Sequence, residues 1–358
     1  MKKAVLGKKL LNKEVLCLAC QRYCRIKDNK TGFCQTRLNQ NGQLFSLTYG
    51  VINGIQLDPI EKKPLYHFYP GSQVASIGSY GCNYRCKQCL NHWCSWGSPA
   101  TEILHSLKTK TENIKVIEPE SFVNSILSKG YPGIAFTYNE PSIWPEYVYE
   151  VGKLAKEKGL FTVFITNGSW SKEALEYLAP VIDAVNIDIK GFFPKTYKKM
   201  NAFIGSVLEK TELVVKKYKI LTELTTLIIP GINDSLKELE SLTAWIVKEL
   251  GKDIPWHLSR FDPNLSKDQE FQKIPVTSIK TLKKAYKIGK KAGLNYIYVW
   301  APPKSINESL FAIESTTCPK CGKLVIKRDA WQPELIGVQK KGKKVICKYC
   351  KKSLNIII

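Results

Sequence analysis

From about residue 72 onward, short runs of β-branched and aromatic residues alternate with longer segments whose apolar positions recur every three or four residues. The runs are VASIG (74–78), GIAFTY (133–138), LFTVFIT (160–166), AVNIDIK (184–190), LTELTTLII (221–229), PWHLS (255–259) and YIYVW (296–300). Runs this short, bounded by Gly, Pro, Asn or Asp, predict strands buried on both faces. The segments between them predict helices. EPESFVNSILSKG carries Pro119 in its first turn, where a missing N–H costs nothing. IWPEYVYEVGKLAKEKG follows, then SKEALEYLA with Ser171 as N-cap. DSLKELESLTAWIVKELG begins at Asp234 and stops before Gly251, and SIKTLKKAYKIGKKAG closes the series. Strands separated by helix-length connections cannot pair as hairpins and imply a parallel sheet with crossover helices. Six or seven such units predict an α/β fold, a partial (β/α)6-type TIM barrel rather than a full eight. Residues 1 to about 60 show few clear elements, and the tail from about 306 shifts to Lys and Cys. The expected organisation is an N-terminal Cys-rich metal-binding segment (1–65), the barrel (66–305) and a zinc-ribbon-like module (306–358).

Composition adds compartment and charge. No run of about 18 apolar residues occurs, so no membrane span is expected. Lys8, Lys9 and Lys13 interrupt the N-terminal apolar residues, and no signal peptide is expected. The 12 cysteines fall in tight local groups, a layout that favours metal over disulfides and predicts a cytoplasmic protein. The formal net charge of +23 predicts attraction to acidic partners, nucleic acid included. A Lys-rich surface of the thermophile kind is the alternative, although such surfaces add Glu as well.

In parallel α/β folds the chemistry gathers where strands end. The first run is followed by SYGCNYRCKQC, the second by Glu140, the third by Asn167 and Gly168, the fourth by Asp188 and Lys190, the fifth by PGIND, and the sixth run carries His257. Turn residues are common in any loop, but two carboxylates, a lysine and three cysteines at successive rims exceed loop chemistry. Cys82, Cys86 and Cys89 are spaced by three and two residues. A closed zinc site wants four ligands, which Cys94 or His92 would complete. A four-iron cubane held by three thiolates leaves one iron open to a small molecule. Cys94 on its own reads as a buried thiol without a role.

The motifs DPIEKKPLYHFYPG, SIGSYGCNYRCKQCLNHW, FTYNEPSIW, TNG, VNIDIKGF, TTLIIPGIND and PWHLSRFDP occur in this order. Together they resemble the radical S-adenosylmethionine (SAM) enzymes related to pyruvate formate-lyase activating enzymes, and most closely the AmmeMemoRadiSam type, over about residues 17 to 300. The resemblance implies that Cys82, Cys86 and Cys89 ligate a [4Fe-4S] cluster whose open iron is chelated by SAM. It places Glu140 at the SAM amino group, Asp188 and Lys190 near the ribose and carboxylate, and Asn167 at the matching rim. His257 corresponds to a family histidine near cofactor or substrate, with a core histidine as its competing explanation. Gln88 stands where the family usually has an aromatic residue beside the adenine. WAPP (300–303) replaces the family's Gly-Asn pair after the last strand. The implied partners are a ferredoxin- or flavodoxin-like reductant and a macromolecular substrate.

Two further cysteine sets flank the barrel. Cys318 and Cys321 are separated from Cys347 and Cys350 in the manner of two ribbon knuckles, so zinc is expected. Cys17, Cys20, Cys24 and Cys34 match neither two knuckles nor the ferredoxin run, leaving zinc or a second cluster. Three functions are compatible with this sequence: radical chemistry on a protein, radical chemistry on RNA, or a metal-scaffolded protein that only binds or carries electrons.

Overall fold

The computed structural model describes residues 1–300, 313–329, 331–342 and 344–358. Eight strands form one open sheet in sequence order: β1 (Ile55–Pro59), β2 (Gln73–Ile77), β3 (Gly133–Phe136), β4 (Phe161–Thr166), β5 (Ala184–Asp188), β6 (Leu221–Ile228), β7 (Trp256–Arg260) and β8 (Ile297–Trp300). Strands β2 to β8 are parallel, and β1 runs antiparallel against β2. The seven expected strands are therefore present, and β1 is an addition. Its sequence, IQLDP, is half-exposed and polar, so it lacks the apolar run that marks a strand buried on both faces.

Helices cover the outer face. Pro119–Ser128, Pro145–Glu157, Lys172–Leu178 and Ile279–Ala292 lie where expected, and the Ser171 hydroxyl accepts from Ala174 N as an N-cap. The helix Leu236–Trp245 is capped by Ser235 rather than begun at Asp234, and it passes into a wider turn over Ile246–Leu250 before Gly251. Two more helices, Ser98–Thr109 and Val207–Lys216, extend the layer. One continuous apolar core, including Phe136, Trp144, Phe164, Val185, Leu224, Trp256 and Leu258, joins strands to helices. The N-terminal segment, in which few elements were expected, folds as two small antiparallel sheets. It is anchored to the barrel by an ion pair buried to 1% exposure, Arg37 to Glu146, bidentate at 2.6 and 2.8 Å.

An open sheet leaves two unpaired edges. Between β1 and β8 the C-terminal module fills the seam. Arg328 is fully buried and donates to Tyr66 O (2.7 Å) and Thr316 Oγ1 (2.7 Å), while Tyr298 of β8 pairs with Thr316 at 2.8 Å. Ile357 N donates to His67 O (2.8 Å), and Trp300 stacks on Trp331 with a 9° interplanar angle. The expected boundary at 305/306, and WAPP beyond Trp300, lie outside the described residues.

The seam carries a titratable group. Burial pushes the Glu61 carboxyl up to about 7, against the pull of Arg328 at 3.9 Å. A carboxyl raised from its ordinary 4.5 contributes stability below that value and loses it as pH rises through about 7. Denaturant unfolding should therefore show Glu61→Gln gaining on the wild type by roughly 3 kcal/mol between these pH values. A pH-independent difference would mean that Glu61 stays ionised in the fold.

A candidate active site at the carboxyl rim of the barrel

The loop after β2 starts with two glycines that no other residue can replace without a clash. A Cβ on Gly78 would meet Thr137 O at 2.5 Å, and Gly81, at φ +87°, would meet Cys34 O at 2.5 Å. Asn139 then fixes the loop: its Oδ1 accepts from Ser79 N (3.1 Å), and its Nδ2 donates to Gly81 O (3.0 Å). From here the chain turns through Cys82, Cys86 and Cys89. The segment after β5 holds it from the other side, through Lys87 N to Met200 O (3.1 Å), Asn201 Nδ2 to Arg85 O (2.9 Å) and Tyr84 OH to Phe203 O (2.5 Å). Tyr84, Tyr197, Ala202 and Phe203 pack an apolar wall around the three sulfurs.

Burial dominates the electrostatics of this loop. Burial, and then the neighbouring thiol Cys86, pushes Cys82 well up and Cys89 up to about 12. Cys86 is raised by burial and partly relieved by Lys190. Thiols in this state are neutral, and a metal is what deprotonates them. Lys190 reaches the loop from the end of β5, with Nζ 3.3 Å from Asp188 Oδ2. Burial would lower its pKa, but Asp188 and Cys86 outweigh that and hold it charged. Asn233 of the PGIND loop donates to Lys190 O at 2.9 Å, and Tyr197 OH accepts from Lys190 N at 3.2 Å.

Glu140 is at this rim, but its carboxylate is already engaged. It accepts from Ser142 N (3.1 Å), Thr166 Oγ1 (2.9 Å to each oxygen), Asn167 N (2.9 Å) and Trp170 Nε1 (3.2 Å). Burial still raises its pKa against those donors. Asn167 is engaged as well: Nδ2 donates to Asn83 Oδ1 (2.9 Å), and Oδ1 accepts from Ser169. Gln88 donates to Met200 Sδ at 3.3 Å and leaves Oε1 buried without a partner. Asn83, Asn139 and Tyr197 are site residues that the motif reading passed over. Asn83 lies between Cys82 and Cys86, and nothing in its spacing marks it.

His257 is not brought to this group. It sits near the start of β7, where its Nε2 is 2.7 Å from Glu223 Oε2 and its ring packs between Tyr66 and Tyr298. Glu223 also accepts from His67 N (2.7 Å), and the His67 ring bonds Tyr298 OH (2.6 Å) and Asn355 O (2.7 Å). The cluster is closed against the C-terminal module. Of the two readings of His257, the geometry is that of a satisfied core histidine.

The flanking cysteines also assemble. Cys318 Sγ lies 3.6 Å from Cys350 Sγ, and Cys321 Sγ 3.8 Å from Cys347 Sγ; all four ligand atoms lie within 4.8 Å of one another. Cys17, Cys20, Cys24 and Cys34 meet in the N-terminal segment, with Cys17 N donating to Cys24 O at 2.9 Å. Cys94 is buried, with its sulfur 3.4 Å from Asn91 O. No helix among the described residues is long and apolar enough to cross a membrane.

Residues 76–243 match the Radical SAM superfamily. An uncharacterized protein of Methanocaldococcus jannaschii is 37% identical over 358 residues, covering 100% of both chains. A second protein of that organism, named as a glycyl-radical enzyme activating enzyme, is 28% identical over 232 residues, 62% of this chain and 87% of its own. Among solved structures, a domain of pyruvate-formate lyase-activating enzyme from Bacteroides vulgatus aligns with a TM-score of 0.41 and 15% identity, over 47% of this chain and 99% of that one.

The Glu140 network predicts the outcome of its removal. Glu140→Ala leaves four buried donors without an acceptor and should cost about 3 kcal/mol or more in denaturant unfolding, with Glu140→Gln costing less. A change below about 1 kcal/mol in Glu140→Ala would show that these bonds do not hold the rim.

Proposed function

We propose, from the premise that the chain belongs to the radical S-adenosylmethionine superfamily, that Cys82, Cys86 and Cys89 hold a [4Fe-4S] cluster whose remaining iron takes SAM. The observation that carries this reading is the loop itself: three thiols packed on one rim, Cys86 buried and Cys82 and Cys89 partly buried, with a charged lysine beside them and no fourth cysteine in the packed group. The donors fit a cubane, which takes one thiolate per iron. A cluster held by these residues would supply the electron for reductive cleavage of SAM.

The chain's own groups bind and shield the cofactor. Lys190 carries the cation that neutralises the SAM carboxylate, and Asp188, whose side chain is 42% exposed, accepts from a ribose hydroxyl. The free Gln88 Oε1 is an acceptor for the adenine amino group, where an aromatic residue would only stack. Glu140 and Asn167 act by position: their hydrogen bonds tie the ends of β3 and β4 to the cysteine loop through Asn83. Tyr84, Tyr197 and Phe203 keep water from the reacting centre. His257 takes no part.

The substrate we propose is a protein, from which the radical abstracts hydrogen, with a ferredoxin- or flavodoxin-like reductant as donor. The support is the likeness to relatives named as glycyl-radical enzyme activating enzymes. One observation favours RNA as a second reading. A cavity of about 400 Å³ beside the cysteine loop is lined by Lys198, Lys199, Asn201 and the ion-paired Lys87 and Glu270, on a chain of net charge +23. RNA binding would weaken steeply with salt; tight, salt-insensitive binding to a protein alone would remove that reading. For the C-terminal set we propose zinc. A tetrahedral Zn–S distance of about 2.3 Å sets sulfurs about 3.8 Å apart, as Cys318–Cys350 and Cys321–Cys347 are.

Three measurements check these assignments. Reconstituted anaerobically and given dithionite and SAM, the protein should form 5′-deoxyadenosine, and Cys82→Ala should form none. Lys190→Met should weaken SAM binding about tenfold or more. Product from Cys82→Ala would end the reading. Separately, metal analysis should find zinc in the wild type that Cys321→Ser lacks.

A further inference from the structure

The three cysteine sets differ in how far apart their sulfurs stand. Among the described residues, the C-terminal set is the group whose ligand atoms, three or more, lie within 4.8 Å of one another. A single tetrahedral zinc needs sulfurs about 3.8 Å apart. Neither Cys17, Cys20, Cys24 and Cys34 nor Cys82, Cys86 and Cys89 form a group that close. Wider spacing is what a polynuclear cluster requires, because its thiolates sit on different irons.

Two features surround the N-terminal four. On the inner side is Arg37, 1% exposed, whose charge acts on both Cys17 and Cys34. Its two Nη groups bind Glu146, but its buried Nε has no partner. A buried cationic donor left unpaired is costly, and an anionic metal–thiolate centre beside it removes that cost. On the other side the set touches the catalytic loop. Cys34 O is packed against Gly81, and Asn83 contacts both Cys20 and, at 3.8 Å, Cys82 Sγ. Gly81 and Asn83 are the two sequence neighbours of Cys82. Arg22 adds a further tie, donating to Asn83 O at 2.5 Å. The outer edge faces solvent: Cys24 is only half-buried, beside Tyr23 and Phe33, which are 38% and 36% exposed.

We propose that Cys17, Cys20, Cys24 and Cys34 hold a second iron–sulfur cluster, adjacent to the first, through which electrons enter the site. This rests on the reading of Cys82, Cys86 and Cys89 given above. A low-potential one-electron carrier of the ferredoxin class reduces the N-terminal cluster at its exposed edge. That cluster passes one electron to the Cys82 cluster and returns to its oxidised state. No proton or bond is exchanged between the two.

The test is a metal and electron paramagnetic resonance analysis of the full chain. Wild type, reconstituted anaerobically, should hold about two to four irons beyond those of one cubane. The triple variant with Cys82, Cys86 and Cys89 each changed to Ala should retain that extra iron, with a dithionite-reduced signal. Adding Cys17→Ser and Cys34→Ser should remove it. In reduced wild type the two signals should split each other. Wild type with about four irons and a second zinc would overturn the proposal, and does not require any variant to fold. Two clusters whose spectra simply add would overturn the relay. If instead the triple variant holds as much iron as wild type, the N-terminal cluster stands and the assignment of Cys82, Cys86 and Cys89 fails.

Discussion

Three thiols packed side by side in an apolar wall stay protonated unless a positive charge takes up their electrons. Burial and mutual repulsion both act against the thiolates. One lysine, Lys190, opposes them from the end of β5. Its charge relieves Cys86 and Cys89 in part. The rest of the rim serves that constraint. Asn139 and the two glycines set the path of the loop, Asn83 and Asn167 brace it, and the segment around Met200 closes it from behind.

The fold supplies this rim by giving up closure. A sheet whose edges stay unpaired exposes those edges, and they then need cover. The C-terminal module provides it between β1 and β8. Arg328, Glu61, His67, Glu223 and His257 form a buried polar layer there against the C-terminal module. The N-terminal segment plays the corresponding part at the other end. Its Arg37–Glu146 pair fixes it to a barrel helix, and its Cys34 packs against Gly81 in the loop after β2.

Much of this was legible in the sequence. Seven strands and five helices follow from runs and periodicity, because a strand buried on both faces must be apolar throughout. β1 escaped because an edge strand has no such requirement. The N-terminal sheets escaped because their strands are two to four residues long. The cysteine triplet, Asp188 and Lys190 were visible as residue types at strand ends. What spacing does not show is whether a polar side chain is already occupied. Glu140 has its oxygens filled by Thr166, Asn167 and Trp170, about 26 to 30 positions away. His257 is paired with Glu223, 34 positions earlier. Asn83 and Gln88 matter for the opposite reason: their contacts, or the lack of one, exist only once the loop is folded against the 200s segment.

The central claim is a cubane held by three protein thiolates with its last iron left to SAM. The most direct measurement is a crystal structure of the protein reconstituted and crystallised without oxygen in the presence of SAM. The account predicts a cubane on Cys82, Cys86 and Cys89, with the SAM amino and carboxylate groups on the fourth iron and Lys190 at the carboxylate. A fourth protein ligand on that iron, or a single tetrahedral ion in the loop, would contradict it.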